Sequence, residues 1–180
     1  MTIKVWDYSR EYEADKKEVL TTIQEVLESG RLILGENVKA FESEFAQYCD
    51  VSYGIGVASG TDALFLSLKA LGIGVGDEVV TVSNTAVPTV SAIVSTGAIP
   101  KFVDINPSTY LIDVEQIESA ITCHTRCILP VHLFGQCADM DRIRSIAKKN
   151  NLFVVEDCAQ AHFSKYKDEI AGSMSDLGAF

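Results

Sequence analysis

The run Leu152-Phe153-Val154-Val155 stops abruptly at Glu156-Asp157 and gives way to the small residues Cys158-Ala159. Four successive apolar side chains occupy both faces of a strand, so this strand is expected to be covered on two sides, as in a parallel sheet flanked by helices. Asp157 then falls at its carboxyl end, where open α/β sheets bind ligands. A carboxylate there is the first candidate functional group.

The rest of the chain repeats the strand and helix alternation. Apolar strands are predicted at 53–57, 78–82, 100–103, 127–131 and 152–155, with helical patterns at 62–71, 88–95, 114–122 and 139–149. Asp113 with Gln116 forms an Asp-x-x-Gln capping box, Pro88 suits a first helical turn and Gly97 suits a helix C-terminus. Ahead of this series, 13–29 carries Val19, Leu20, Ile23, Val26 and Leu27 at helical spacing, with Gly30 as its C′ residue; 36–48 repeats the pattern with Val38, Phe41, Phe45 and Tyr48. The expectation is an N-terminal helical segment over 1–52 and an α/β unit over 53–180, its mostly parallel sheet bearing helices on both faces.

Bulk properties narrow the function. With 15 basic against 25 acidic residues the net charge is −10, which argues against nucleic acid or an anionic membrane as partner. Five irregularly spaced cysteines and no signal peptide at Met1-Thr2-Ile3-Lys4 point to a reducing cytoplasm. Apolar stretches break well short of the roughly 20 residues that span a bilayer.

Several chemistries can be weighed residue by residue. Ala58-Ser59-Gly60-Thr61-Asp62-Ala63-Leu64 turns from a strand into a helix, so its amides and hydroxyls suit either a phosphate cradle or an ordinary N-cap. Gly54-Ile55-Gly56 lacks the third glycine of a dinucleotide fingerprint and lies within a predicted strand, and there is no Gly-Lys-Ser/Thr element. A nicotinamide oxidoreductase and a P-loop hydrolase are set aside on those grounds. Neither Cys158 with His162 nor Cys123, His124 and Cys127 supplies a four-ligand metal pattern, and no motif supports Cys158 as a nucleophile. His132 closes the 127–131 strand and is either a site residue or a structural hydrogen-bonder; Lys165 and Lys167 read as solvated surface.

Five segments together resemble the DegT/DnrJ/EryC1/StrS family of pyridoxal-phosphate-dependent sugar aminotransferases. They are Gly30-Arg31-Leu32-Ile33-Leu34-Gly35, Ala58 to Leu64, Gly97-Ala98-Ile99-Pro100-Lys101-Phe102-Val103-Asp104, Leu129-Pro130-Val131-His132-Leu133-Phe134-Gly135-Gln136 and Glu156-Asp157-Cys158-Ala159-Gln160-Ala161-His162. The resemblance implies the large domain of a fold-type I transferase binding pyridoxal 5'-phosphate or pyridoxamine 5'-phosphate. It gives Asp157 the role of partner to the pyridine nitrogen, Gln160 a hydrogen bond to the 3-oxygen, and Gly60 and Thr61 the phosphate. The family's Thr-aromatic-x-Ala-Thr segment reads Thr85-Ala86-Val87-Pro88-Thr89 here, so Ala86 stands where a stacking ring is usual. Asn84 to Thr89 looks like the branch that aminates dTDP-linked 3-keto sugars.

The resemblance further implies a homodimer, glutamate as amino donor and a nucleotide-sugar acceptor. Gly178-Ala179-Phe180 matches the first residues of a Gly-x-Phe-Ser-Phe segment that precedes the family's Schiff-base lysine. The expectations are therefore a lysine and a small domain beyond Phe180, and no turnover by the 180 residues alone. The alternative is a non-catalytic chain that binds cofactor or sugar nucleotide and needs a partner.

Overall fold

The computed structural model describes residues 7–180, so the signal-peptide reading of Met1 to Lys4 lies outside the described residues. It divides into two compact units, Met1–Glu44 and Phe45–Phe180. In the first, α1 runs Tyr8–Glu28 and ends at Ser29 and Gly30, the latter at φ 66° as its C′ position requires. The apolar stripe of α1 is exposed at Leu20, Ile23 and Leu27. Helix α2, Glu36–Tyr48, begins in this unit and has the bounds the apolar spacing predicts.

The second unit is the α/β body. Its elements are α3 (Gly60–Ala70), β1 (Glu78–Val82), α4 (Val87–Thr96), β2 (Ile99–Val103), α5 (Val114–Ala120), β3 (Thr125–Ile128), α6 (Met140–Asn150), β4 (Phe153–Asp157), β5 (Lys165–Tyr166), β6 (Glu169–Ile170) and β7 (Leu177–Ala179). Five strands form one sheet in the order β2-β1-β3-β4-β7, each pair parallel, and β5 with β6 forms a separate antiparallel hairpin. The chain steps one way from β1 to β2, then back across β1 to β3 and on to β4. Because strand–helix–strand crossovers are right-handed, that reversal puts α4 on one face and α5 and α6 on the other. The packing agrees, with α3 against α4 and α5 against α6. The reversal also makes the gap between the carboxyl ends of β1 and β3 a topological switch point.

Burial explains the strand pattern. Val79, Val80, Ile128 and Val155 are fully buried, covered on both sheet faces as continuous apolar runs demand. The helix caps follow sequence: Asp113 accepts from Glu115 N at 3.2 Å while Gln116 Nε2 donates to its other oxygen at 2.7 Å, and Pro88 lies in the first turn of α4.

Two expectations fail. No strand forms at 53–57: the segment belongs to neither sheet, and Tyr53 and Ile55 are 85% and 80% exposed. Its alternating apolar pattern is present, but a strand exists only through a neighbour's hydrogen bonds, which local pattern does not report. The third strand ends at Ile128 rather than at 131. Pro130 has no N–H to donate, and Val131 rejoins the sheet only as a single bridge to Asp157. The strand β7 and the β5–β6 hairpin escaped prediction because each strand is only two or three residues long.

Gly97 caps α4 at φ 91°, and a Cβ there would lie 2.6 Å from Val75 Cγ2. Gly97→Ala combines left-handed strain with that clash and should lower stability by about 2 kcal/mol, read as a reduced urea midpoint at unchanged slope.

Candidate functional site

Alternation along β4 sends its last two carboxylates to opposite sides of the sheet, and the two meet different surroundings. Glu156 is fully buried and accepts from four donors: Gly172 N and His132 Nε2 on Oε2, both at 2.9 Å, and Met174 N at 2.9 Å and Ser175 Oγ at 2.8 Å on Oε1. These donors use the carboxylate's lone pairs, which offsets its desolvation. His132 Nδ1 accepts from Ala138 N at 3.2 Å, so the proton sits on Nε2 and the ring is fixed in that tautomer. His132 is therefore structural: it is buried and joins the turn after β3 to Glu156.

Asp157, 5% exposed, is held more sparingly. Thr89 Oγ1 donates to Oδ2 at 2.7 Å and Ala159 N to Oδ1 at 3.2 Å, leaving each oxygen able to accept again. Backbone bonds from Asp157 N to Pro130 O and from His132 N to Asp157 O fix the position of the residue across the β3 end. Buried, anchored at two points and still an acceptor, Asp157 suits a protonated ring nitrogen; Glu156 does not.

The other predicted residues gather at the same end of the sheet. Gly60 opens α3 where a Cβ would meet Phe180 O at 3.3 Å, and Phe180 follows Ala179, the register partner of Asp157. The helix start therefore lies beside the end of β4. Ser59 caps α3, its Oγ accepting from Asp62 N at 3.1 Å and donating to Asp62 Oδ2 at 2.9 Å. That contact ties the Asp62 carboxylate to Ser59 and leaves the amides of Gly60 and Thr61 for an anion. Gln160 Oε1 accepts from Phe134 N at 3.1 Å, bracing a turn in which Phe134 has φ 58°, and its amide hydrogens remain for a ligand. Ala86 is the N-cap residue of α4 and, with Thr85, Val87, Val90 and Ser91, lines an open cavity.

Other chemistries lose ground. The ligand atoms of His132, Glu156 and Cys158 lie within 4.8 Å of one another, but both His132 nitrogens and all of Glu156's acceptor positions are engaged by protein donors or acceptors, so the cluster does not fit a metal. His162 stands outside that group. Burial pushes the Cys158 thiol far up, reinforced by the nearby Glu156 charge, and raises Cys137 to about 11. No thiolate nucleophile is available at either position. Lys165 and Lys167 lie on the β5–β6 hairpin, Lys167 paired with Asp141 at the surface. Sequence patterns gave no role of their own to Glu156, Thr85 or Thr89, although Thr85 and Thr89 frame one of the quoted segments and Glu156 opens another.

The profile of the DegT/DnrJ/EryC1/StrS aminotransferase family matches residues 13–180. A relative from Micromonospora megalomicea subsp. nigra, a dTDP-3-amino-3,4,6-trideoxy-alpha-D-glucose transaminase, is 49% identical over all of this chain and 48% of its own length. The structure of S. venezuelae DesV superposes with a TM-score of 0.91 at 44% identity, over 93% of this chain and 45% of that one. NtdA from Bacillus subtilis, solved with bound cofactor PMP, gives 0.81 at 42% identity, over 82% and 34% respectively. The chain spans about half the length of the curated relatives it matches.

Two outcomes test this geometry. Glu156→Gln replaces acceptor positions by N–H groups facing existing donors and should cost about 3 kcal/mol in chemical denaturation. A thiol reagent at mildly alkaline pH should label exposed Cys123 quickly, and buried Cys127 and Cys158 only on unfolding, as peptide mapping by mass spectrometry would show.

Proposed function

The chain belongs to the DegT/DnrJ/EryC1/StrS aminotransferase family, whose members use pyridoxal phosphate, and on that premise we propose that the whole protein transfers an amino group from glutamate to a nucleotide-linked keto sugar. The carrying observation is Asp157: a buried carboxylate at the carboxyl end of β4, held by two neutral donors and still able to accept. When bound, the cofactor's protonated ring draws electrons from the carbon that carries the amine, the chemistry that makes a proton there removable.

On this reading the chain's residues divide the work. Asp157 accepts from the ring nitrogen and keeps that nitrogen protonated. The amides of Gly60 and Thr61 hold the phosphate at the start of α3, where the helix dipole favours an anion. Gln160 donates its amide hydrogens to the ring's 3-oxygen while its oxygen braces Phe134. Ala86 stands where the family usually carries a stacking ring, and it lines an open cavity at the start of α4 with Thr85, Val87 and Val90. A dTDP-linked 3-keto-6-deoxyhexose is the acceptor we favour, supported by the Asn84 to Thr89 segment and by the named activity of the Micromonospora relative.

A homodimer belongs to the same reading. Five free cysteines support a reducing cytoplasm, and no described helix is long and apolar enough to cross a membrane.

The test uses the full-length protein with pyridoxal phosphate, glutamate and a dTDP-3-keto-6-deoxyhexose, with the amino sugar detected by mass spectrometry. Asp157→Ala should reduce turnover on the order of 10³-fold while leaving the fold intact by circular dichroism. Failure of the unaltered protein to convert pyridoxal phosphate to its amine form with glutamate would overturn the reading.

A further inference from the structure

We propose that Thr89, backed by Thr85, is the positioning residue that orients Asp157 toward its ligand. The inference rests on the reading of Asp157 as partner to a cofactor ring nitrogen. Thr89 Oγ1 lies 2.7 Å from Asp157 Oδ2, a contact between residues 68 apart in sequence, and Thr89 is 1% exposed. Thr85 Oγ1 lies 2.7 Å from Thr89 Oγ1.

The direction of this chain of hydroxyls is forced. An ionised carboxylate only accepts, so Thr89 gives its single hydrogen to Asp157, and its oxygen must then accept from Thr85. Both hydrogens point toward the carboxylate, and each bond polarises the next in a buried setting. A helical threonine ordinarily turns its hydroxyl back to the carbonyl one turn earlier. Thr89 instead gives its hydrogen to a residue at the end of β4.

The consequence is geometric. Thr89 stands on α4 beyond β1 and Asp157 at the end of β4, so the bond spans the switch point of the sheet. With Ala159 N on Oδ1, it anchors each carboxylate oxygen once and fixes the plane of the group, leaving one acceptor direction on each oxygen. Thr85 is only part-buried and lines the open cavity at the start of α4 beside Ala86.

The test uses the full-length protein, pyridoxamine 5'-phosphate labelled with ¹⁵N in the ring, and the variants Thr89→Val, Thr89→Ser and Thr85→Val. Equilibrium affinity is read by fluorescence titration, and the state of the bound ring nitrogen by its ¹⁵N resonance. Thr89→Val should bind about tenfold more weakly and move the resonance toward that of an unprotonated pyridine; Thr89→Ser should stay within about twofold with an unchanged resonance, and Thr85→Val should lose about threefold. A purely structural role would lower affinity without moving the resonance and would not be rescued by serine. An unchanged affinity and resonance in Thr89→Val overturns the inference. If Thr89→Val does not fold, Thr89→Ala, which also removes the hydroxyl, takes its place, and an unchanged affinity and resonance there overturns the inference. Failure of the unaltered protein to bind the labelled compound overturns the functional reading instead.

Discussion

The four donors on Glu156 hold together the part of the molecule on which the site depends. A fully buried carboxylate without partners would cost several kcal/mol, so each of the groups that solvate it is constrained to stay. Those groups come from the turn after β3, through His132, and from residues 172–175, through two amides and a hydroxyl. The second set leads directly into β7, where Val155, Glu156 and Asp157 pair with Leu177, Gly178 and Ala179. Asp176 adds a second tie, its carboxylate accepting from Val154 N at 2.8 Å. One buried charge thus recruits the outer strand of the sheet and the turn that Gln160 braces.

Adjacent residues in one strand acquire opposite uses because the pleat turns them to opposite sides. Glu156 faces donors that saturate it and becomes structure. Asp157 faces a threonine and one amide and retains capacity to accept. A one-residue slip of β4 would exchange the two environments, so the pairings that fix its register also fix which carboxylate serves the site. The bridge from Val131 to Asp157 and the reciprocal bonds of Asp157 to Pro130 and His132 act directly at that point.

How much of this was legible in the sequence follows from the range of the interactions. The strand at Glu78–Val82 and the helix at Glu36–Tyr48 were readable to their bounds, since apolar runs and helical spacing are local signals. The place of Asp157 followed from where an apolar run ends. The segment 53–57 misled because its pattern is that of a strand while the ladder that would make it one is non-local. Glu156 read as an ordinary acid, and its burial depends on residues 16 to 24 positions away. Thr89 stood only as the last residue of the Thr85-Ala86-Val87-Pro88-Thr89 segment, and its partner lies 68 residues further on. What escaped was in each case a polar contact closed by the fold rather than by the chain's local preferences.

The way the inner charges are held bears on what the site can accept. Among the described residues, the Lys and Arg ion pairs lie at partly or well-exposed side chains, as with Arg144 bridging Asp141 and Glu169, and none engages Glu156 or Asp157. The two buried carboxylates are held by N–H and O–H groups alone. An arginine on Asp157 would occupy both oxygens through its paired donors and leave little for a ligand. Neutral donors support the negative charge without cancelling it, so the carboxylate retains an unmet preference for a cation. On the proposed reading a protonated ring nitrogen supplies that cation, and the phosphate of the same molecule finds its compensation in the helix amides of Gly60 and Thr61. A chain of net charge −10 can in this way bind an anionic cofactor, because the contacts that matter are set by backbone direction and hydroxyl placement rather than by the overall field.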